Sequence, residues 1–570
     1  MIRRGAASHR RAASRAAIPT GLPTRLSTGL PAVLMAMLMV VVGCGAVDSV
    51  TGSEASSDLS GPETTLRVLA GSELVAMEPV LEEAARATGV RVDLEYTGTL
   101  TAAQRIAEGT VDGSYDALWF SSNRYLDLRP ETRGVLGTSV EIMSSPVVLG
   151  LRRSVAERLG FIDRPVDWAR IAAAAGAGEF TYGMTDPSAS NSGFSAVVAV
   201  ATALVGSGAA LTEQQAASTA PALTDFFSAQ TLSAGSSGFL QEAYIGRATG
   251  TDPGPAVDGL INYESVLLSM NAAGNLPEPL ELIYPTDGVV TADYPFTVLN
   301  SASEQTRDAH RRLTEYLRTT DVQQRIMDTG HWRPAIPGVP LAAEFGTATL
   351  VELPFPTSSA VVDTLLTSWF DKVRRASRTI YVLDTSGSMD RDNRMPLLHS
   401  ALARLAGADT SLVGQFRRFR GREEVVLLPF ASAPKEPKLF TVPQDDPQPV
   451  LDRIAAEGNA LTAGGETAIY TTLEAAYVLA EMQIQADPDR FTSIVLMTDG
   501  ENTTGADFTA FRNVFDNRPN AVRAVPVFPV LFGESNVAEM EELAAVTGGR
   551  TFDARDGSLD AAFTEIRGYV

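Results

Sequence analysis

From Thr65 onward the sequence alternates short apolar runs with stretches of helical period, almost to its end. "TLRVLAG" (65–71) reads as a buried strand. "PVLEEAARATG" (79–89) follows as a helix, with Pro79 in its first turn and Gly89 at its end. "VRVDLEY" (90–96) alternates apolar and polar residues like a half-buried strand. "TAAQRIAEG", "YDALWFSS", "SSPVVLGLRR" and "VDWARIAAAAG" continue the alternation. Two parallel strands need a crossover long enough to hold a helix, so this order predicts α/β architecture with mostly parallel sheets. A second run of the same kind starts at about Ala376, with strands in "RTIYVLD", "EEVVLLPFAS", "FTSIVLMTDG" and "VRAVPVFPVLFG". Four strands interleaved with helices predict a doubly wound sheet over 376–570. A length of 570 residues suits two to four domains at about 150 residues each.

The first strand of the second unit ends in "DTSGSM". Side chains at alternate positions of an extended chain point the same way, so Asp384, Ser386 and Ser388 can converge on one point if the chain bends at Gly387. Ligands of open α/β sheets bind outside the carboxyl ends of the strands. Two more loops reach that edge: "GGET" brings Thr467 to the start of a helix, and "VLMTDGE" ends a strand at Asp499. Three hydroxyls and two carboxylates are an all-oxygen set, which suits a hard divalent cation. These residues resemble the metal-ion-dependent adhesion site of the von Willebrand factor type A (vWA) domain, whose motif is Asp-x-Ser-x-Ser with a distant Thr and a distant Asp. The resemblance implies a Rossmann-like vWA domain over 376–570. It also implies Mg2+ (Mn2+ or Ca2+ as alternatives) held by Asp384, Ser386, Ser388, Thr467 and Asp499. An acidic residue of a protein partner would complete the coordination sphere. Glu501 is expected to be a solvated surface charge.

Residues 65–375 resemble a bacterial extracellular solute-binding protein of the two-lobed, periplasmic-binding-protein type, through "VLAGSEL", "FSSN", "TDPSASNSGFSA" and "DYPFTVLN". That resemblance implies a clam-shell that closes on a small solute, with crossings between lobes near "SSPVVLGLRR" and "DYPFTVLN". Hydroxyls and free N–H groups at helix starts suit an oxyanion. Ser72, Thr99, Ser121, Ser122, Ser190, Asn191 and Ser192 are the candidates, with Tyr263 as a lid; the same residue types also serve as ordinary caps and turns. No arginine stands out beside them, so the ligand need not be an anion.

The first 43 residues carry six arginines and no acids, then "PAVLMAMLMVVVGCGA". A basic start, a short apolar run and small residues make an export signal, and the run is shorter than the ~20 residues of a membrane span. Val41-Val42-Gly43-Cys44 resembles a bacterial lipobox, which implies cleavage before Cys44 and lipid attachment there. The long basic leader suggests that translation starts downstream of Met1. Residues 44–64, small, polar and Gly/Ser-rich, read as a flexible tether. Cys44 is the single cysteine, so no internal disulfide is expected.

The net charge of −22 becomes −28 once the six leader arginines are removed, which argues against nucleic acid and against attraction to anionic lipid. Four scattered histidines make a His/Cys zinc site improbable. No nucleophile–base set, Gly-x-Ser-x-Gly elbow or HExxH helix is present. The expectation is a non-enzymatic, lipid-anchored binding protein on the extracellular face of the membrane. The alternative is the solute-binding component of an ABC transporter, with the vWA domain as a docking or regulatory module.

Overall fold

The computed structural model describes residues 61–570 except 163, 411, 532, 534–535, 556–561, 564–565 and 570. The export signal, Cys44 and most of the tether lie outside the described residues. Among the described residues no helix is long and apolar enough to cross a membrane.

The chain begins in a first sheet with β1 (Thr64–Ala70), β2 (Val90–Tyr96), β3 (Ala117–Trp119) and β4 (Leu136–Glu141). It crosses at Ile142 into a second sheet, through β5 (Met143–Arg152), β6 (Tyr182–Thr185), β7 (Gln230–Ala234), β8 (Gly259–Tyr263), β9 (Leu280–Ile283) and β10 (Thr291–Ala292). It returns through Asp293–Tyr294 to β11 (Pro295–Leu299), and β12 (Arg333–Pro334) later rejoins β5. The first sheet has the order β2-β1-β3-β11-β4, with β1 parallel to its neighbours and β11 antiparallel to β3 and β4. The second has the order β10-β5-β8-β6-β7, with β9 and β12 also on β5. Because β4 pairs with β11 and β5 with β10, the two crossings run side by side and form a two-stranded hinge. The returning crossing is pinned to the first sheet. The N–H groups of Asp293 and Tyr294 donate to the Ser121 carbonyl (3.0 and 2.9 Å), and Trp119 Nε1 donates to the Tyr294 carbonyl (3.2 Å). These bonds hold Tyr294 at φ +40°, a strained setting for a bulky side chain.

The third sheet contains β13 (Ser377–Asp384), β14 (Glu424–Phe430), β15 (Lys438–Thr441), β16 (Phe491–Thr498), β17 (Val527–Leu531) and β18 (Phe552–Asp553). Its order is β15-β14-β13-β16-β17-β18, parallel throughout except for the antiparallel edge strand β15. All eight residues of the central β13 are buried, as a strand covered on both faces requires. Ile380 and Val382 pack with Leu473, Tyr477 and Phe511 from helices on one side. Tyr381 and Leu383 pack with Leu398, Leu402 and Leu451 on the other. The result is a doubly wound sheet whose carboxyl edge carries the ends of β13 and β16 next to each other.

Candidate functional site

Asp384 is the last residue of β13 and Asp499 follows β16, so adjacent parallel strands deliver both carboxylates, fully buried, to one edge. Asp384 Oδ1 accepts the Ser386 N–H (2.8 Å) and Oδ2 accepts the Thr498 hydroxyl (2.8 Å). The bend that follows brings Ser386 Oγ within 3.0 Å of Ser388 Oγ, and Ser388 donates to Asp499 Oδ1 (2.9 Å). Burial raises the Asp384 carboxyl above its ordinary range and the charge of Asp499 adds to the rise, against the bonds from Ser386 and Thr498.

Thr467 stands on an adjoining loop that is laced to the first one. The Gly387 N–H donates to the Gly465 carbonyl (2.9 Å), and the Gly464 N–H donates to the Thr385 carbonyl (2.9 Å). Gly465 has φ +92°, and a β-carbon there would lie 2.9 Å from Ser432 Oγ, so this turn requires glycine. The Thr467 N–H donates to Thr503 Oγ1 (2.8 Å), and its carbonyl accepts the Thr503 N–H (2.8 Å). Among the described residues no group of three or more His, Cys, Asp and Glu forms a metal cluster; this cup is built mainly of hydroxyls. The sequence reading missed Arg394, whose guanidinium pairs with Asp499 Oδ2 at 2.8 Å.

The cleft candidates form a network across the lobes. Tyr263 donates to Ser121 Oγ (2.7 Å), and Asn191 Nδ2 donates to the Tyr263 hydroxyl (3.3 Å). Ser192 Oγ lies 2.8 Å from both Thr185 Oγ1 and Ser237 Oγ, and 3.3 Å from Ser190 Oγ. Ser72 Oγ accepts the Gly238 N–H (3.2 Å), which ties the first lobe to the start of the helix Ser237–Thr249. Thr99 is buried at the start of the helix Thr99–Ala107, where the Leu100 N–H reaches the Ala189 carbonyl of the other lobe (3.3 Å). Ser122 accepts the Arg124 N–H (3.3 Å) and serves as a turn cap. The lobes are therefore closed on one another, and Tyr263, 1 % exposed, is a latch between them.

The residues that sequence reasoning missed lie beside this latch. The Tyr263 and Tyr294 rings are 5.9 Å apart, and Tyr294 is 5.9 Å from Trp332. The Tyr294 hydroxyl sits among Glu73, Ser265 and Trp332. Neither it, nor Ser265 Oγ, nor Trp332 Nε1, nor Asn191 Oδ1 completes a hydrogen bond within the protein. Buried polar groups are nearly always paired, so this cluster has hydrogen-bonding capacity left for water or a bound solute. Glu73 is partly buried, and desolvation pushes its carboxyl up to about 7.

Residues 66–331 match the family model described as bacterial extracellular solute-binding protein. These residues have the solute-binding-protein fold. Among solved structures, this chain is similar to a periplasmic thiamin binding protein (14% identity, 55% of this chain and 99% of that one, TM-score 0.44). It is also similar to the periplasmic binding protein P5PA (14% identity, 55% of this chain and 100% of that one, TM-score 0.41). A von Willebrand factor type A structure from Catenulispora acidiphila aligns with 34% of this chain and 43% of its own length (16% identity, TM-score 0.28). No curated protein matches the chain.

Proposed function

We propose that the chain is an exported, non-enzymatic binding protein, held at the extracellular face of the membrane through Cys44. Its solute-binding-protein domain closes on a small solute, and its C-terminal domain, of vWA type, uses a divalent cation to engage an acidic residue of a protein partner. The orphaned polar atoms beside the hinge carry the solute reading: a bound solute supplies their hydrogen bonds. Glu73 in the same wall disfavours an oxyanion and favours a solute that presents positive charge or hydrogen-bond donors to it and to Asn191 Oδ1, and an uncharged acceptor to Trp332 Nε1.

The donor set of the cup fits Mg2+. Oxygen ligands at 2.0–2.1 Å in an octahedron stand about 2.9 Å apart at neighbouring corners. The two observed separations, Ser386 Oγ to Ser388 Oγ and Ser388 Oγ to Asp499 Oδ1, are 3.0 and 2.9 Å. Ser386, Ser388 and Thr467 would hold the ion through hydroxyls, and Asp384 and Asp499 would supply charge. A bound Mg2+ or Mn2+ supplies an electrophile for an outside carboxylate. The second reading, delivery of solute to a permease with the C-terminal domain as a docking module, is favoured by the family match over 66–331.

Calorimetric titration of Mn2+ into the intact chain, beside Asp384→Ala, tests the cup. Saturable binding in the parent alone supports the reading, and equal behaviour of the two proteins removes it. Mass spectrometry of small molecules released on denaturing the purified protein tests the cleft. A released cationic or donor-rich compound that rebinds supports the solute assignment, and an oxyanion overturns it.

A further inference from the structure

Arg394 is the first residue of the helix Arg394–Ala403 and is 8 % exposed. It is aimed at the cup by Asp392 and Asn393, two successive non-glycine residues at φ +50° and +62°. Aspartate and asparagine are the side-chained residues that enter this left-handed region most readily, so the pair makes a tight turn that fixes where the helix starts. One arm of the guanidinium meets Asp499 Oδ2 at 2.8 Å, and the other meets Asp392 Oδ2 at 3.1 Å. The two acids differ sharply in setting. Asp499 is fully buried, with its other oxygen on Ser388, whereas the Asp392 side chain is 77 % exposed. Two buried carboxylates, Asp384 and Asp499, face the cup, and burying both charges without a cation is strongly unfavourable. The arginine supplies that cation from within the chain. A divalent ion held by the same oxygens would meet a guanidinium already on Asp499, and two positive charges at that separation repel.

We infer that Arg394 is a built-in counter-ion of the cup: it holds the cup assembled without metal, and it yields Asp499 and turns to Asp392 when a divalent cation enters. This rests on the metal reading proposed above. The consequence is an affinity ceiling. Part of the attraction that five oxygen ligands exert on Mg2+ is used to displace the arginine, so the ion binds weakly until a partner's carboxylate adds its own charge.

The test is Mn2+ titration into the intact chain and into Arg394→Gln, Arg394→Lys and Asp384→Ala, with melting followed in EDTA and in Mn2+. Arg394→Gln is expected to bind Mn2+ at least tenfold more tightly than the parent. It should melt lower in EDTA, where Asp499 is left unpaired, and show the larger rise on adding Mn2+. Arg394→Lys keeps the charge but lacks the planar fork that bridges both acids, so its affinity should fall between the two. It also serves if the glutamine variant does not fold. Equal or weaker binding in both arginine variants, with Asp384→Ala still abolishing it, overturns the counter-ion role and leaves the cup standing. Absence of saturable binding in the parent and in both arginine variants overturns the metal reading itself and this inference with it.

Discussion

Glu73 shows what one residue can hide. In the sequence it is an ordinary acid in "AGSELV", two residues after a strand, where a helix-starting charge is unremarkable. Its environment comes from Tyr294 at the hinge and Tyr263 on the other lobe, both far away in the chain. Burial raises its pKa from 4.5 to about 7, so the folded state holds the proton more tightly than the unfolded chain does. The stabilising term is fully present below pH 4.5 and is lost as pH rises through 7. Glu73→Gln removes the charge that must be desolvated. Above pH 7 the variant should be the more stable by about 1–3 kcal/mol, since one pKa unit corresponds to about 1.4 kcal/mol. Below pH 4.5 the two proteins should melt together. Melting curves across that range check it; a constant offset at all pH values would count against a buried carboxyl. The hydroxyl cluster, in contrast, was legible, because "SASNSG" puts its polar residues side by side at a helix start.

The elements that were legible are the ones whose burial is written in their own residues. β13 and β16 carry the unbroken apolar stretches Ile380–Leu383 and Ile494–Met497, and β2 alternates as it was read. The third sheet has six strands where four were expected. β15 exposes three of its four residues and β18 is two residues long, so both exist because a neighbour's edge was open, and composition cannot signal that. The residues 303–328 have helical character throughout their sequence, yet they form two helices, Glu304–Leu317 and Thr320–Gly330, because Thr319 turns extended between them (φ −72°, ψ 150°). The loop that carries Thr467 is the opposite case, since its glycines announce the turn. Gly465→Ala must place a β-carbon against Ser432 at a left-handed backbone position. It should destabilise the chain by about 1–3 kcal/mol and, by moving the loop that carries Thr467, weaken Mn2+ binding about tenfold or more. Melting and titration of the same preparation separate the two effects. A variant with parent-like affinity would show that the Gly465 turn does not set the geometry of ion binding.

At the scale of the whole molecule, the three sheets belong to one compact unit. The third sheet packs behind the second lobe. Phe227 meets Trp369 edge to face at 4.8 Å, and Ser233 donates to the Gly568 carbonyl at 2.7 Å. An ionic group lies beside this contact. Glu423 is buried between Arg374 and Arg567, with Arg567 Nη1 and Nη2 at 2.8 and 2.6 Å. Asp186, on the loop that leads to the cleft residues, faces the same arginines. None of this was legible, because the partners come from distant segments and each alone looks like a surface charge. Burial by itself would raise the Glu423 carboxyl, but Arg567 and Arg374 reverse that and hold it below its ordinary 4.5. Removing one member of a buried ionic group strands the others, so Glu423→Gln should cost about 3–5 kcal/mol. The sign with pH is opposite to that of Glu73. The depressed carboxyl stabilises the fold fully above pH 4.5, and this contribution fades as acid protonates it below that value. The melting difference between parent and Glu423→Gln should therefore be flat near neutrality and shrink as pH falls below 4.5. A difference that persists unchanged into acid would mean that the glutamate acts by packing alone, and that charge does not join the third sheet to the lobe that lines the cleft.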